Sequence, residues 1–135
     1  MNAENIVRVG DVMHQRFIIE DGLATVAEAV GSMRKAGADC VIVQKRHEDD
    51  EYGLVLLSDI ARKVIAPDRS PQRVNLYEIM SKPVISVRPS MDIRYAARMF
   101  ETFGLTMAPV LKQSEVRGIV SYREIVLNDA ETTTD

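Results

Sequence analysis

Val26, Ala29, Val30 and Met33 are apolar at the i, i+3, i+4, i+7 spacing that gives a helix one buried stripe. Adding 67 to each number yields Ile93, Ala96, Ala97 and Phe100, a second stripe in the same phase. The same shift carries Met13 to Met80, Ile18 to Ile85, Gly37 to Gly104 and Val43 to Val110. A single offset that preserves a run of elements marks a duplicated unit. The register then changes, because Val43 and Gly53 are ten residues apart whereas Val110 and Gly118 are eight. Copy one is therefore expected to have the longer hairpin.

Each copy predicts the order helix, strand, helix, strand, strand, helix. A short helix (Val9 to Met13; Leu76 to Met80) leads into a short strand (Phe17 to Glu20; Val84 to Val87). Thr25 and Glu28 have the spacing of a capping box at the start of the first long helix, and Ser90 or Asp92 serves in copy two. Gly37 and Gly104 stand where a helix C-terminus turns left-handed. Apolar runs over Cys40 to Gln44, Tyr52 to Leu56, Met107 to Leu111 and Val116 to Val120 predict two hairpins, with closing helices from Ser58 and from Ser121 or Tyr122. The fold class expected is α/β (α+β), two small mixed sheets with packed helices. The first repeat is assigned to residues 1–66, a Pro-containing linker to 67–74, the second repeat to 75–128 and a flexible acidic, Thr-rich tail to 129–135.

Composition narrows the function classes. A net charge of -3 over 135 residues offers no general basic field for a phosphate backbone, so nucleic acid is not expected as a partner. Cys40 is the only cysteine, which excludes an intrachain disulfide and a multi-thiolate zinc site and fits a reducing, cytoplasmic setting. No apolar run approaches the roughly 18 residues that span a bilayer. His14, His47 and Cys40 form no evident nucleophile–base set, so the chain is not expected to be an enzyme. The acidic stretch His47 to Glu51 reads as a solvated hairpin tip rather than a metal site, and the methionines as flexible core filler.

The openings Asp11-Val-Met13 and Glu78-Ile-Met80, the endings Gly53-Leu-Val-Leu-Leu-Ser-Asp59 and Gly118-Ile-Val-Ser-Tyr-Arg-Glu124, and Ala108-Pro109-Val110 resemble a tandem pair of cystathionine-β-synthase-type (CBS) domains. The resemblance covers roughly Val9 to Asn128. It implies two pseudo-symmetric repeats with clefts that take adenine-containing molecules: AMP, ADP, ATP or S-adenosylmethionine. It also implies a homodimer and a separate regulated protein, with no cofactor required.

In that family pattern a Thr or Ser three residues after the glycine contacts phosphate and an Asp six residues after it accepts from the ribose hydroxyls. Copy one has Asp59 in the ribose role but Leu56 in place of the hydroxyl; copy two has Ser121 and the longer Glu124. Copy two therefore ranks slightly ahead for nucleotide binding. The resemblance assigns adenine to Ile18, Ile85 and the stretch around Pro109, and Arg62 and Arg123 lie within plausible reach of phosphate. Plain structural roles compete throughout: carboxylates in a first helical turn favour the dipole, serines cap, and exposed arginines pair at the surface. A dimerisation scaffold without ligand is the alternative, supported by Leu56.

Overall fold

The computed structural model describes residues 6–129. Its elements are α1 (Val9–Val12), β1 (Phe17–Glu20), α2 (Val26–Ala36), β2 (Cys40–Val43), β3 (Gly53–Leu56), α3 (Leu57–Ile60, continued as a π turn over Ala61–Ile65), a 3-10 turn (Leu76–Glu78), α4 (Ile93–Phe103), β4 (Met107–Lys112), β5 (Glu115–Ser121) and α5 (Tyr122–Asn128). The chain is the mixed α/β protein expected. It forms two compact units, one over Arg16–Val84 and the other combining described residues 6–15 with 85–129. Division by packing thus differs from division by sequence repeat: α1 precedes the first sheet in sequence but packs with the second. The expected tail lies, apart from Asp129, outside the described residues.

In the unit over Arg16–Val84, β1 and β2 are parallel, with Phe17 opposite Cys40, and β2 and β3 antiparallel, with Val43 opposite Gly53. Parallel neighbours need a crossover, which α2 supplies. Thr25 Oγ1 accepts from Glu28 N at 3.1 Å to start that helix, and Gly37, at φ 65°, ends it by donating to the Met33 carbonyl. The stripe Val26, Ala29, Met33 is buried against Val41, Val43 and Val55. The 67–74 stretch is tied down at its end: Pro71 and Val74 carbonyls accept from Ala27 and Val26.

In the other unit, β4 and β5 pair antiparallel around a tight turn at Gln113 and Ser114, both with positive φ (52° and 65°), and a bulge between Val110 and Leu111 shifts the register. Copy one indeed carries the longer hairpin. Fully buried Phe100 from α4 packs edge-to-face on Tyr122 of α5, centroids 5.1 Å apart. Asp92, not Ser90, caps α4, accepting from Arg94 N at 2.9 Å.

The expected strand Val84 to Val87 is reduced to a single bridge, Val87 with Val110. Val87 N donates to the Pro109 carbonyl (3.0 Å) and Leu111 N to the Val87 carbonyl (2.9 Å). The next bond of a parallel ladder would run from residue 109 to the carbonyl of residue 85, and proline has no N–H to donate. In the first unit Ile42 occupies the equivalent place and the ladder continues to Ile18 and Phe17.

A leading segment closes the outer edge of each hairpin. Leu54 and Ser81 exchange backbone hydrogen bonds at 3.0 and 2.9 Å, as do His14 and Ile119 at 2.8 and 2.9 Å. The approach needs a residue without Cβ at the neighbouring strand position. A Cβ on Gly118 would lie 3.0 Å from the His14 carbonyl oxygen and 2.9 Å from Met13 Sδ, whereas one on Gly53 would meet chiefly the flexible thioether of Met80. Gly118→Ala is therefore expected to lower stability by about 1–3 kcal/mol, and Gly53→Ala by less, in urea unfolding of the full chain; the reverse order would refute this account of the edge.

Candidate functional site

At the far end of β3 from its hairpin, the chain turns directly into α3. The corner is fixed by Asp59: its Oδ2 accepts from Leu56 N at 2.9 Å, satisfying a donor at the helix start. Asp59 is buried at 4% exposure, and its Oδ1 has the Arg62 guanidinium at 3.6 Å and the Lys63 ammonium at 3.7 Å. Arg62 itself is 72% exposed, so that pair contributes little to stability but leaves a cation facing solvent beside a buried carboxylate. Lys63 also donates to the Ile79 carbonyl at 3.1 Å. Ile18, half-buried in β1, packs against the same unit's core.

Glu124 repeats the arrangement at the β5–α5 corner. Its Oε1 accepts from Ser121 N and from Ser121 Oγ, both at 2.7 Å, and lies 3.7 Å from His14 Nε2. Ser121 and Glu124 are therefore brought together, as partners of each other. Arg123 is exposed, Ile85 is 39% exposed, and Pro109 is buried within β4. Asp59, Arg62 and Ile18 fall in one unit; Ser121, Arg123, Glu124, Ile85 and Pro109 fall in the other.

Sequence reasoning missed two contacts near these corners. His14, just past the first short helix, is buried beside Glu124 because α1 packs with β5. Asp39, just before β2, bonds Arg16 twice: Asp39 N to the Arg16 carbonyl at 2.7 Å and Arg16 Nε to Asp39 Oδ2 at 2.9 Å. The +67 shift of Met13 to Met80 was the available signal for the first, since it pairs the leading segments. The place of Asp39 just before the second strand is readable from the sequence; its pairing with Arg16 is not. Among the described residues no group of three His, Cys, Asp or Glu is arranged to hold a metal, and no helix is long and apolar enough to cross a membrane.

A model of the CBS domain matches residues 76–131. A hexameric CBS-CP12 protein from bloom-forming cyanobacteria is 37% identical, covers 89% of this chain, is itself covered to 70%, and superposes with a TM-score of 0.85. This chain belongs to the CBS domain family. The CBS pair of protein MJ0100, in complex with 5-methylthioadenosine and S-adenosyl-L-methionine, shares the fold at 22% identity (TM-score 0.74; 89% of this chain, 93% of that one). So does the CBS domain protein PAE2072 from Pyrobaculum aerophilum, complexed with AMP, at 16% identity (TM-score 0.77; 93% and 95%). The chain spans 61% of an uncharacterized protein of Methanopyrus kandleri and 28% of the magnesium transporter MgtE of Thermus thermophilus, covering 89% and 93% of itself, each at 27% identity. CBS domains are in general regulatory, and the last two structures are complexes with adenine-containing ligands.

Cys40, opposite Leu56 at the same end of the sheet, is fully buried. Burial, with Asp39 nearby adding to it, pushes its thiol from 9.0 up to about 12. A raised thiol pKa means that the folded state holds the neutral form, so stability is undiminished below the unfolded value and declines as pH climbs from 9 toward 12. A thiol reagent at pH 8 is expected to leave the native chain unlabelled and to label one thiol once it is unfolded. The fall in melting temperature above pH 9 should be shallower in Cys40→Ala; rapid native labelling, or identical pH slopes, would contradict the burial argument.

Proposed function

We propose that this CBS pair is a regulatory module that binds an adenine-containing small molecule and transmits its occupancy through the packing of its domains or of a homodimer. The observation that carries the reading is Asp59: a buried carboxylate, oriented through one oxygen by Leu56 N, whose other oxygen stands beside two cations. A ribose diol can donate to such a carboxylate, and Arg62 can swing to a phosphate without breaking a buried contact. The AMP, 5-methylthioadenosine and S-adenosyl-L-methionine in related CBS structures support an adenine ligand. Ile18 is proposed for the base beside Asp59, and Ile85 and Pro109 for the base beside Ser121, Arg123 and Glu124.

The geometry favours copy one over copy two. The Ser121 hydroxyl has one proton and directs it to Glu124, so phosphate contact there requires that bond to be redirected. Asp39 precedes Cys40, which stands opposite Leu56, and this second carboxylate at the same end of the sheet, paired with Arg16, favours a monophosphate or an uncharged ribosyl ligand over a polyphosphate. The alternative, a ligand-free dimerisation scaffold, is supported by Leu56 and by the exposed apolar residues Leu57, Tyr122, Val126 and Leu127 on the closing helices. A cytoplasmic location is proposed from the single, buried thiol.

Thermal unfolding with AMP, ADP, ATP, S-adenosylmethionine and NAD separates the two. A bound ligand at 100 times its dissociation constant should add about 2.7 kcal/mol. Asp59→Ala is expected to abolish most of that shift and Glu124→Ala to reduce it less. No shift with any of the five leaves the scaffold reading, and unchanged affinity in both variants would sink the site assignment. Light scattering of the ligand-free chain should give the mass of a dimer under either reading.

A further inference from the structure

A depression lies at the opposite end of the Arg16–Val84 sheet, a full length of β3, about 13 Å, from the Asp59 corner. It encloses about 670 Å³ where β1 and β2 end, lined by Asp21, Leu23, Lys45, Arg46, Tyr77 and Lys82, with Val43 and Met80 as part of its apolar wall. The long hairpin of copy one builds its rim. Asp50 folds back to accept from Arg46 N and from Lys82, both at 2.8 Å, and Lys45 stands over the Tyr52 ring at 5.1 Å. The Lys82 ammonium, followed by the backbone N–H groups of Arg46 and Glu51, holds the Asp50 carboxyl well below the ordinary range, so this brace is ionised at neutral pH. Lys82 is thus charge-matched. No described carboxylate stands within ion-pair distance of Lys45 or Arg46. Tyr77 is 52% exposed and Leu23 73% exposed beside them.

The duplication supplies a control. The other unit has a shallower hollow in the same place, about 530 Å³, lined by Arg8, Gly10, Met13, Ser90, Lys112 and Arg117 among others. The shift of 67 residues matches Lys45 to Lys112, Met80 to Met13, Leu23 to Ser90 and Tyr77 to Gly10. There the aromatic wall is gone, Arg8 donates to the Ser90 carbonyl at 2.6 Å and Arg117 pairs with Glu115 at 3.3 Å. Of the two hollows, only that of copy one combines two cations outside any ion pair with a described carboxylate and an exposed ring.

We propose that the hairpin mouth of the Arg16–Val84 unit is a second binding site, for a small phosphate ester with an aromatic or apolar body. Lys45 and Arg46 take the phosphate; Tyr77, Leu23 and Met80 take the body. The pairing follows from chemistry: phosphate recognition gains from charge-assisted donors, and a ring beside exposed Tyr77 and Leu23 removes apolar surface from water. The proposal is independent of the adenine site, since it shares no residue with it.

The test is amide chemical-shift mapping on the isotopically labelled full chain, titrated with phenyl phosphate, inorganic phosphate and phenol. Phenyl phosphate should give saturable shifts at residues 21–23, 44–46, 77 and 82, with a dissociation constant on the order of 1 mM or tighter, and should bind more tightly than either half alone. The Lys45→Ala/Arg46→Ala double variant should weaken it roughly tenfold or more. Tyr77→Ala should weaken phenyl phosphate while leaving inorganic phosphate unchanged. Shifts confined to the Asp59 or Glu124 corners, or no saturation on the wild-type chain, overturn the site. Equal affinity for phosphate and phenyl phosphate overturns the aromatic part of it.

Discussion

Backbone pairing at the outer edge of each hairpin sets the construction of this protein. β3 and β5 each have one side paired within their own hairpin, and the other side presents N–H and C=O groups that need partners once buried. Ser81 satisfies Leu54 and His14 satisfies Ile119. Because these partners come from the segments that lead into the next or previous elements, each compact unit draws on two separated or extended stretches of chain. Gly53 and Gly118 sit at the edge for that reason, and a sequence repeat cut out at its apparent boundary would leave one of these edges bare.

The same corners that end β3 and β5 carry the carboxylates on which a functional reading turns. Both carboxylates do structural work first: Asp59 holds Leu56 N, and Glu124 holds both donors of Ser121. Capping and ligand binding are not exclusive, since a carboxylate has two oxygens and about four acceptor sites. The difference between the copies is how the remaining capacity is surrounded. At Asp59 it faces Arg62 and Lys63; at Glu124 it faces buried His14.

Much of this was legible from residue order. The apolar stripes gave α2 and α4, the glycines gave their left-handed ends, and the ten-against-eight spacing gave the unequal hairpins. Pattern failed where one residue's covalent chemistry outranked it. Val84 to Val87 has the composition of a strand, yet Pro109 lacks the donor that would extend the ladder. Packing across sequence distance was harder to read: the match of Met13 to Met80 pairs the leading segments, but it does not say that His14 will be buried beside Glu124, more than a hundred residues later. The corner carboxylates were found by resemblance, but their commitment to backbone donors is a matter of a few tenths of an ångström that spacing does not encode.

The unequal hairpins give the duplication its functional direction. Two residues of extra separation let copy one fold Asp50 back onto Lys82 and add Arg46 to Lys45 at the mouth of its sheet, whereas copy two turns directly after Lys112. The arginines of the copy-two hollow are instead consumed by a carbonyl and a surface carboxylate. A tight turn favours a well-formed ladder, and a longer one costs about 0.6 kcal/mol per doubling in closure entropy. The bidentate Asp50–Lys82 contact and the Arg46 N–H bond offset that cost, so the longer loop is held in one shape rather than left to wander. Cations held by such a brace lose less freedom on meeting an anion, which is the condition for a shallow surface hollow to bind at all.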